Sequence, residues 1–531
     1  MTVPAPSPPG TRPADAPRVE LGELARWLTA HHTPARCVGD AQVGGVCLDS
    51  RRVQPGDLYA ALPGARHHGA TFTEQARAAG AAAVLTDPAG AELVGSALPV
   101  LVVEEPRRVL GPLAAHLYRD PADRMRTLAV TGTQGKTTTT RLLDGALEHA
   151  GVTAAVVGTV GTRIAGTEVR TSLTTPEAPD LQALFAVMVE HDVAALAMEV
   201  SSHALVQGRV DGFAFDVAAF LNLGRDHLDF HADLEEYFAA KAQLFTPAHC
   251  RLGVVNTDDE HGRRLVELAR AAGTEIRTFA LDRDADWRAV EISSDAAGSS
   301  FTVLTPSGGR VEARVGLPGR FNVSNALAAL ALAGEAGFDV AAVATGLDVG
   351  VPGRLEQVDA GQDFTLVIDY AHKPDAVRAA VETLRPLTDG KVVVVIGAGG
   401  DRDRGKRPEM GRIAAELADL VVVTDDNPRT EDPATIRAEV LAGAREGAAT
   451  SGAELREIGD RRAAIAAAVA AAAPGDIVLV AGKGHETGQE VHGVVHPFDD
   501  RTVAAEEARE AQAARKAPVT RSAGSAQEEQ R

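Results

Sequence analysis

The sequence predicts an α/β protein of three domains with helix-covered parallel sheets, and three observations predict it. The chain has 531 residues, and at roughly one domain per 150 residues this corresponds to three or four domains. Apolar residues make up 45% of the chain but aromatic ones only 4%, so the core is built from Ala, Val and Leu, as in sheets buried on both faces. A single theme also recurs: a short β-branched run stops at Gly, Asp, Asn or Glu, and a helical pattern follows. No repeat of solenoid length accompanies it.

The elements follow in chain order. Residues 1–18 are rich in Pro and Ala and lack a basic region followed by an apolar one, so they predict a disordered arm rather than a signal peptide. A smaller N-terminal domain spans 19–105, with strands at 82–85 and 100–103. The helical segment 107–118 leads into a strand at 127–130 and opens a central domain, 106–352, which closes after the helical 325–333 at the Pro352-Gly353 turn. A C-terminal domain, 353–515, repeats the rhythm with strands at 366–368, 392–396, 420–423 and 477–480. From 516 to 531 the tail is polar and predicts disorder.

Whole-chain properties exclude several classes of function. With 53 basic against 73 acidic side chains the formal charge is -20, which excludes a constitutive nucleic-acid binder and requires any phosphate to be bound locally. The aliphatic stretch 463–473 is shorter than the ~20 residues of a membrane span and suits a buried helix. Cys37, Cys47 and Cys250 cannot form a disulfide framework or a four-thiolate zinc site, so a reducing cytoplasm is expected.

The sharpest local signal follows the strand at 127–130: Gly132, Thr133, Gln134, Gly135, Lys136, Thr137 and Thr138, then a helix. Glycines let backbone N–H groups turn inward on phosphate oxygens, and the new helix adds its N-terminal donors. Lys136 reaches the terminal phosphates and the Thr137 hydroxyl can ligate Mg²⁺. Val130 stands five before Gly135, so the common G-x-x-x-x-G-K-[ST] spacing gives way to a narrower G-x-x-G-K-T. An ordinary glycine turn is the plain alternative, and the adjoining strand and Lys-Thr pair speak against it.

Two further strands, 194–198 and 217–221, end in Glu199-Val-Ser-Ser-His203 and in Asn222-Leu-Gly-Arg-Asp226-His227-Leu-Asp229. In a parallel sheet both ends emerge on the edge that carries the phosphate loop. Glu199 or His227 alone reads as a surface or capping residue; the shared edge makes both candidate metal ligands. Thr137 and Glu199 form an oxygen-rich set suited to Mg²⁺ held jointly with nucleotide phosphates. Within 234–245, Leu234, Phe238 and Phe245 fall on one helical face and Lys241 on another, so helical spacing alone makes Lys241 a snorkelling surface lysine.

Four strands of the C-terminal domain run out into polar loops: Asp369-Tyr-Ala-His372, 397–404, 425–429 and 482–486. Parallel strands would bring all four to one crevice, with Arg402 and Arg429 as positive forks and Asp426 and Glu486 as acids. A guanidinium pairs with a carboxylate and an acid receives an ammonium, so the expected ligand is zwitterionic, like an amino acid. Any one of these loops by itself reads as a turn with salt-bridged residues.

Together these segments resemble the Mur ligases, ATP-dependent amino-acid-adding enzymes of peptidoglycan synthesis. The likeness is carried by 132–138, 199–203, 222–229, 237–245, Asn322-Val-Ser-Asn325, Pro352-Gly-Arg354-Leu-Glu356, 369–372 and 482–486, in that order over the second and third domains. It implies a central parallel sheet of the P-loop ATPase type, a Rossmann-like C-terminal sheet and a smaller N-terminal α/β domain that binds the UDP substrate. Asp426-Asn427-Pro428-Arg429, followed by Thr430, is similar to the tetrapeptide of the members that add diaminopimelate to UDP-MurNAc-L-Ala-D-Glu.

Carried over residue by residue, the resemblance implies that Gly132, Thr133, Gln134, Gly135, Lys136, Thr137 and Thr138 bind ATP, with Asn325 on its adenine side and Arg354 on its phosphate side. Thr174, Thr175, Ser201, Gln207 and Arg209 would hold the UDP-MurNAc-dipeptide, with Leu48 and Ser50 in the uridine segment. Arg402, Asp426, Asn427, Pro428, Arg429, Gly482 and Glu486 would recognise diaminopimelate, Arg429 discriminating against lysine, which lacks the distal carboxylate. Gly64-Ala-Arg-His-His-Gly69 departs from the family's usual His-x-x-x-Gly form, and Gln134 stands where Asn is common. The likeness also overrides the surface reading of Lys241, which matches a carbamylated lysine. As a carbamate it would join Glu199 and His227 at a second Mg²⁺. Lys136, Glu199, His227 and Lys241 are the expected catalytic set.

The implied reaction proceeds through an acyl phosphate, with the third domain closing on the second about Pro352-Gly353 to exclude water. A cytoplasmic monomer is expected, without membrane insertion. The rival readings are a sibling ligase that adds lysine and a nucleotide-gated regulatory protein on a ligase scaffold.

Overall fold

A computed structural model describes residues 10–227 and 230–516. Residues 1–9, Leu228 and Asp229 of the 222–229 motif, and 517–531 of the expected tail lie outside the described residues. The chain divides into two compact units between Gly350 and Val351.

The first unit holds two sheets. The smaller has the strand order Arg36–Val38, Val100–Val102, Ala83–Thr86, Asp57–Ala60, Gly45–Cys47, all parallel except the first. Helices Leu21–His31 and Pro106–Leu117 cover it: Leu24, Leu28, Leu110 and Leu113 pack with Val46, Leu58, Leu85 and Leu101 in one apolar cluster. The helix expected to open the central domain therefore belongs to the N-terminal core. Periodicity identifies the apolar face of a helix but not the sheet that receives it.

The described part of the expected arm is also tied down. Arg12 donates to the Tyr118 hydroxyl at 2.9 Å and to Asp57 at 3.3 Å, and the N–H groups of Ala14 and Asp15 reach the Glu190 carboxylate at 3.0 and 2.9 Å. Composition alone reads such a segment as disordered because its anchors are remote in sequence.

The larger sheet has eleven strands. Its parallel centre is ordered Ala154–Gly158, Ala195–Glu199, Arg126–Thr131, Phe215–Phe220, Cys250–Asn256, Glu275–Ala280. Every residue of Ala195–Glu199 is buried, which is why that strand reads as a continuous apolar run instead of an alternating one. Antiparallel strands Gly298–Leu304 and Arg310–Val315 follow Trp287–Asp295 and extend one edge. The carboxyl ends of Arg126–Thr131, Ala195–Glu199 and Phe215–Phe220 lie side by side, as the sequence motifs require.

In the second unit Thr365–Asp369, Ile477–Ala481, Val392–Ile396, Leu420–Val423 and Glu454–Glu457 run parallel in that order, with Glu356–Gln357 antiparallel at the edge. The four strands read from the sequence are thus neighbours, and their polar loops share one edge. The alanine-rich segment is the helix Arg461–Ala471, whose Ala464, Ile465, Ala468 and Val469 pack on Val393, Val395, Val478 and Val480. A hairpin, Gly488–Val491 with Val494–Pro497, and the helix Asp500–Lys516 complete the unit. Among the described residues no helix is long and apolar enough to cross a membrane.

Candidate active site

The strand Arg126–Thr131 delivers the chain directly into the phosphate loop, and the helix Lys136–His149 begins immediately after it. Gly135 has φ +87°, and a Cβ there would lie 2.3 Å from Asn325 Oδ1, so this position requires glycine on both conformational and steric grounds. Asn222 moulds the loop from the neighbouring strand end. Its Oδ1 accepts the N–H groups of Thr133 and Gln134 at 3.2 and 2.9 Å, and its Nδ2 donates to the Gln134 carbonyl at 3.2 Å. Lys136 Nζ donates to the Gly132 and Thr133 carbonyls at 2.8 and 3.3 Å, which keeps the ammonium folded over the loop.

Glu199 stands at the end of the adjacent strand and is 1% exposed. It accepts the Thr137 hydroxyl at 2.9 Å, the Thr159 N–H at 2.8 Å and the Thr159 hydroxyl at 3.0 Å. Oxygen donors around one buried carboxylate suit Mg²⁺, which takes one or two carboxylates together with phosphate oxygens and water. Among the described residues no three His, Cys, Asp or Glu side chains form a ready metal cage.

A chain of bonds leads from Glu199 through the residues expected to hold the nucleotide dipeptide. Thr174 meets the Thr159 hydroxyl at 3.1 Å, the Thr175 hydroxyl donates to the Glu199 carbonyl at 2.8 Å, and the Ser201 N–H donates to Thr175 at 3.2 Å. Arg209 then spans the Thr175 carbonyl at 3.0 Å and the Gln207 amide oxygen at 2.6 Å. Leu48 and Ser50 lie just past the strand Gly45–Cys47, with the Ser50 hydroxyl donating to Gln75 at 3.0 Å. In the divergent 64–69 loop, His68 is bonded to Asp87 at 3.1 Å and accepts the Ala70 N–H at 3.0 Å, a structural use of its imidazole.

Lys241 is 1% exposed, whereas Leu234, assigned to the apolar face, is 37% exposed, which corrects the reading from helical spacing. The helix Leu234–Ala242 turns Tyr237, Phe238 and Lys241 inward, where Lys241 Nζ donates to the Gly132 carbonyl at 2.9 Å and lies 4.6 Å from the Tyr237 ring centroid. A backbone acceptor satisfies the buried ammonium. His227 has φ +53°, its Nε2 lies 3.1 Å from Asp226, and its ring meets Tyr237 edge-on at 5.9 Å. Burial raises the Tyr237 hydroxyl pKa, so it stays protonated 3.3 Å from the Thr133 hydroxyl.

In the second unit the polar loops gather around Lys483, which is fully buried. Its Nζ donates to Asn427 Oδ1 at 3.0 Å and to Glu486 at 3.4 Å, and lies 3.6 Å from Asp426. Asn427 in turn donates to Glu486 at 2.8 Å. Gly482, at φ +119°, makes room for Asp426, whose Oδ2 would lie 2.6 Å from a Cβ there. Lys483 was not assigned to this group from the sequence, although a lysine between two glycines at the end of an apolar strand was a usable signal. Arg461 was also missed: buried and paired with Asp500 at 2.8 and 2.6 Å, it donates to the Ala481 carbonyl at 3.1 Å, just before Gly482. Pro428 and Arg429 complete the turn, and Arg429 Nη1 donates to the Gly400 carbonyl at 2.6 Å. Arg402 is exposed, on the loop that follows the strand Val392–Ile396 at the same sheet edge.

Arg354 stacks on the Tyr370 ring at 4.5 Å. Burial, with Glu486 adding to it, pushes the Tyr370 hydroxyl up to about 12. Burial, helped by Lys373 and Lys406, pushes His372 down to about 3, so its ring is neutral and Nδ1 donates to the Tyr370 carbonyl at 2.7 Å.

The chain matches three family models: "Mur ligase family, catalytic domain" over 42–118, "Mur ligase middle domain" over 130–333, and "Mur ligase, glutamate ligase domain" over 353–484. It is 54% identical over 512 residues to the UDP-N-acetylmuramoyl-L-alanyl-D-glutamate–2,6-diaminopimelate ligase of Streptomyces avermitilis, covering 96% of this chain and 99% of that one. The enzyme of the same name from Corynebacterium glutamicum is 50% identical over 485 residues, covering 89% and 93%. A solved structure of a ligase of this name is 37% identical, with a TM-score of 0.64 over 89% of this chain and 95% of that one.

Proposed function

The chain belongs to the Mur ligase family, and on that footing we propose that it joins diaminopimelate to the D-glutamyl γ-carboxylate of UDP-MurNAc-L-Ala-D-Glu, consuming ATP, in cytoplasmic synthesis of the peptidoglycan precursor. The observation that carries this reading is the gathering of Asp426, Asn427 and Glu486 around Lys483, with Arg429 in the same turn. Acids and an amide suit the zwitterionic end of an amino acid, and a guanidinium suits a distal carboxylate that lysine lacks.

A carboxylate resists amines because oxide would have to leave. In the proposed reaction a γ-carboxylate oxygen attacks the γ-phosphorus, the bond to the bridging oxygen breaks, and ADP departs from an acyl phosphate. The free-base amine then attacks the acyl carbon, the carbon–oxygen bond breaks, phosphate leaves and the new amide nitrogen loses its proton. Gly132 to Thr138 cradle the nucleotide phosphates with backbone donors, and Lys136 adds a positive charge where charge develops. Asn325 and Arg354 are assigned to the adenine and phosphate sides of ATP. Thr174, Thr175, Ser201, Gln207, Arg209, Leu48 and Ser50 are assigned to the nucleotide dipeptide. Positioning and charge carry the catalysis, without a Ser or Cys nucleophile.

Mg²⁺, when bound, would offset charge on the phosphates: Thr137 and Glu199 would hold one ion, and Glu199, His227 and carbamylated Lys241 would hold a second. The carbamate arises when the neutral Lys241 amine bonds to the carbon of CO₂ and releases a proton, placing a carboxylate beside the loop whose Gly132 carbonyl is now 2.9 Å from Nζ.

The test is phosphate release with UDP-MurNAc-L-Ala-D-Glu against meso-diaminopimelate, LL-diaminopimelate and L-lysine. Release is expected only when the nucleotide dipeptide and a diaminopimelate isomer are both present. Preference for lysine would make this a sibling ligase, and equal release without acceptor and amino acid would point to a nucleotide-gated regulator.

A further inference from the structure

The match to the glutamate ligase domain model ends at residue 484. Beyond it the chain folds back on the proposed diaminopimelate group as the hairpin Gly488–Val491 with Val494–Pro497. This hairpin is bonded to the Asp-Asn-Pro-Arg turn through its first strand and the turn that follows it. Gln489 Nε2 donates to the Asp426 carbonyl at 2.8 Å, and the Glu490 N–H donates to Asn427 Oδ1 at 3.0 Å. The Arg429 N–H donates to the Glu490 carbonyl at 3.0 Å, and the His492 N–H donates to the Arg429 carbonyl at 2.6 Å.

Those last two bonds flank a residue at φ +54°, in the left-handed region that a non-glycine residue holds only when its surroundings impose it. The guanidinium is held as well. Its Nη1 donates to the Gly400 carbonyl at 2.6 Å and its Nε lies 3.5 Å from Glu490 Oε2, while Nη2 has no bond to a described residue. We infer that Glu490 is a specificity-determining positioning residue, which through the hairpin and its own carboxylate aims the Arg429 fork at the distal carboxylate of diaminopimelate. The inference rests on the proposed function of the second unit.

Glu490→Gln tests it, because the side chain is 38% exposed and the amide preserves the backbone bonds. The KM for diaminopimelate should rise about two- to fivefold, the range of a partly exposed ion pair, and its advantage over lysine should shrink. The kcat and the KM values for ATP and the nucleotide dipeptide should stay where they are. In an Arg429→Ala background the second substitution should add nothing, since two residues acting through one contact are not additive. An unchanged or lower KM for diaminopimelate, equal shifts in all three KM values, or a full effect in the Arg429→Ala background would each overturn the inference. Failure of the unsubstituted enzyme to use diaminopimelate would instead overturn the proposed function.

Discussion

The phosphate loop of the first unit and the proposed diaminopimelate group of the second are built for recognition by different means. The loop works through backbone N–H groups and short side chains, with its shape set by Gly135 at φ +87° and by the Asn222 amide. The second group is braced by charged side chains taken out of water: Lys483, and Arg461 with Asp500, all 0–1% exposed. Phosphate is common to every nucleotide, so a short contiguous motif can bind it. Telling one amino acid from another demands side chains from several loops, each held by buried partners. Damage to the loop should therefore abolish every reaction alike, whereas damage to the second group should be selective.

The largest expected effect breaks the loop side. Lys241→Ala removes the carboxylate-bearing stem proposed to face the nucleotide phosphates, and kcat should fall on the order of a thousandfold with any amino acid. Short carboxylates added in solution should restore part of it. Near-normal turnover in the variant would end the carbamate assignment.

Arg429→Ala sharpens the contrast from the other side. It removes a charge-assisted contact to a distal carboxylate, so kcat/KM for diaminopimelate should drop by about 1.5–3 kcal/mol in transition-state terms, while lysine is little affected. The KM for ATP should not move. If diaminopimelate kept its full advantage over lysine in this variant, selectivity would have to reside elsewhere.

The same contrast explains what the sequence made legible. Gly132 to Thr138 could be read from residues alone, because strand, loop and helix are contiguous and their chemistry is local. The four C-terminal loops could be read as convergent because parallel strands put all their carboxyl ends on one edge, and the sheet is parallel there. Lys483 and Arg461 were missed because their roles depend on burial and on Glu486, Asn427 and Asp500, which spacing does not connect to them. Lys241 was misplaced by helical spacing because the loop carbonyl that receives its ammonium comes from Gly132, far away in the chain. The strands Trp287–Asp295 and Gly298–Leu304 escaped because Ser293-Ser294-Asp295 and Ser299-Ser300 give them the composition of a turn.

Acid should separate the two units in a smaller but opposed way. In the first, Asp144 on the phosphate-loop helix is bonded to Arg163 at 3.0 Å, yet its loss of water outweighs that neighbour and pushes the carboxyl up to about 6. In the second, His372 is pushed down to about 3. Between pH 6 and the ordinary value of 3.8, folded Asp144 holds a proton that the unfolded chain has released. Acidification through that window therefore stabilises the first unit, by about 1 kcal/mol at pH 5. Below 6.5 the unfolded chain protonates His372 while the folded chain refuses the proton down to about pH 3. Acidification there destabilises the second unit, by about 2 kcal/mol at pH 5. Both tryptophans, Trp27 and Trp287, lie in the first unit, so indole fluorescence follows that unit alone while far-UV circular dichroism follows both. In urea titrations moved from pH 7 to pH 5, the dichroism midpoint should fall below the fluorescence midpoint. His372→Asn, which keeps an N–H donor for the Tyr370 carbonyl without a titrating ring, should narrow that gap. Midpoints that coincide at both pH values and ignore the substitution would mean that the two units unfold as one.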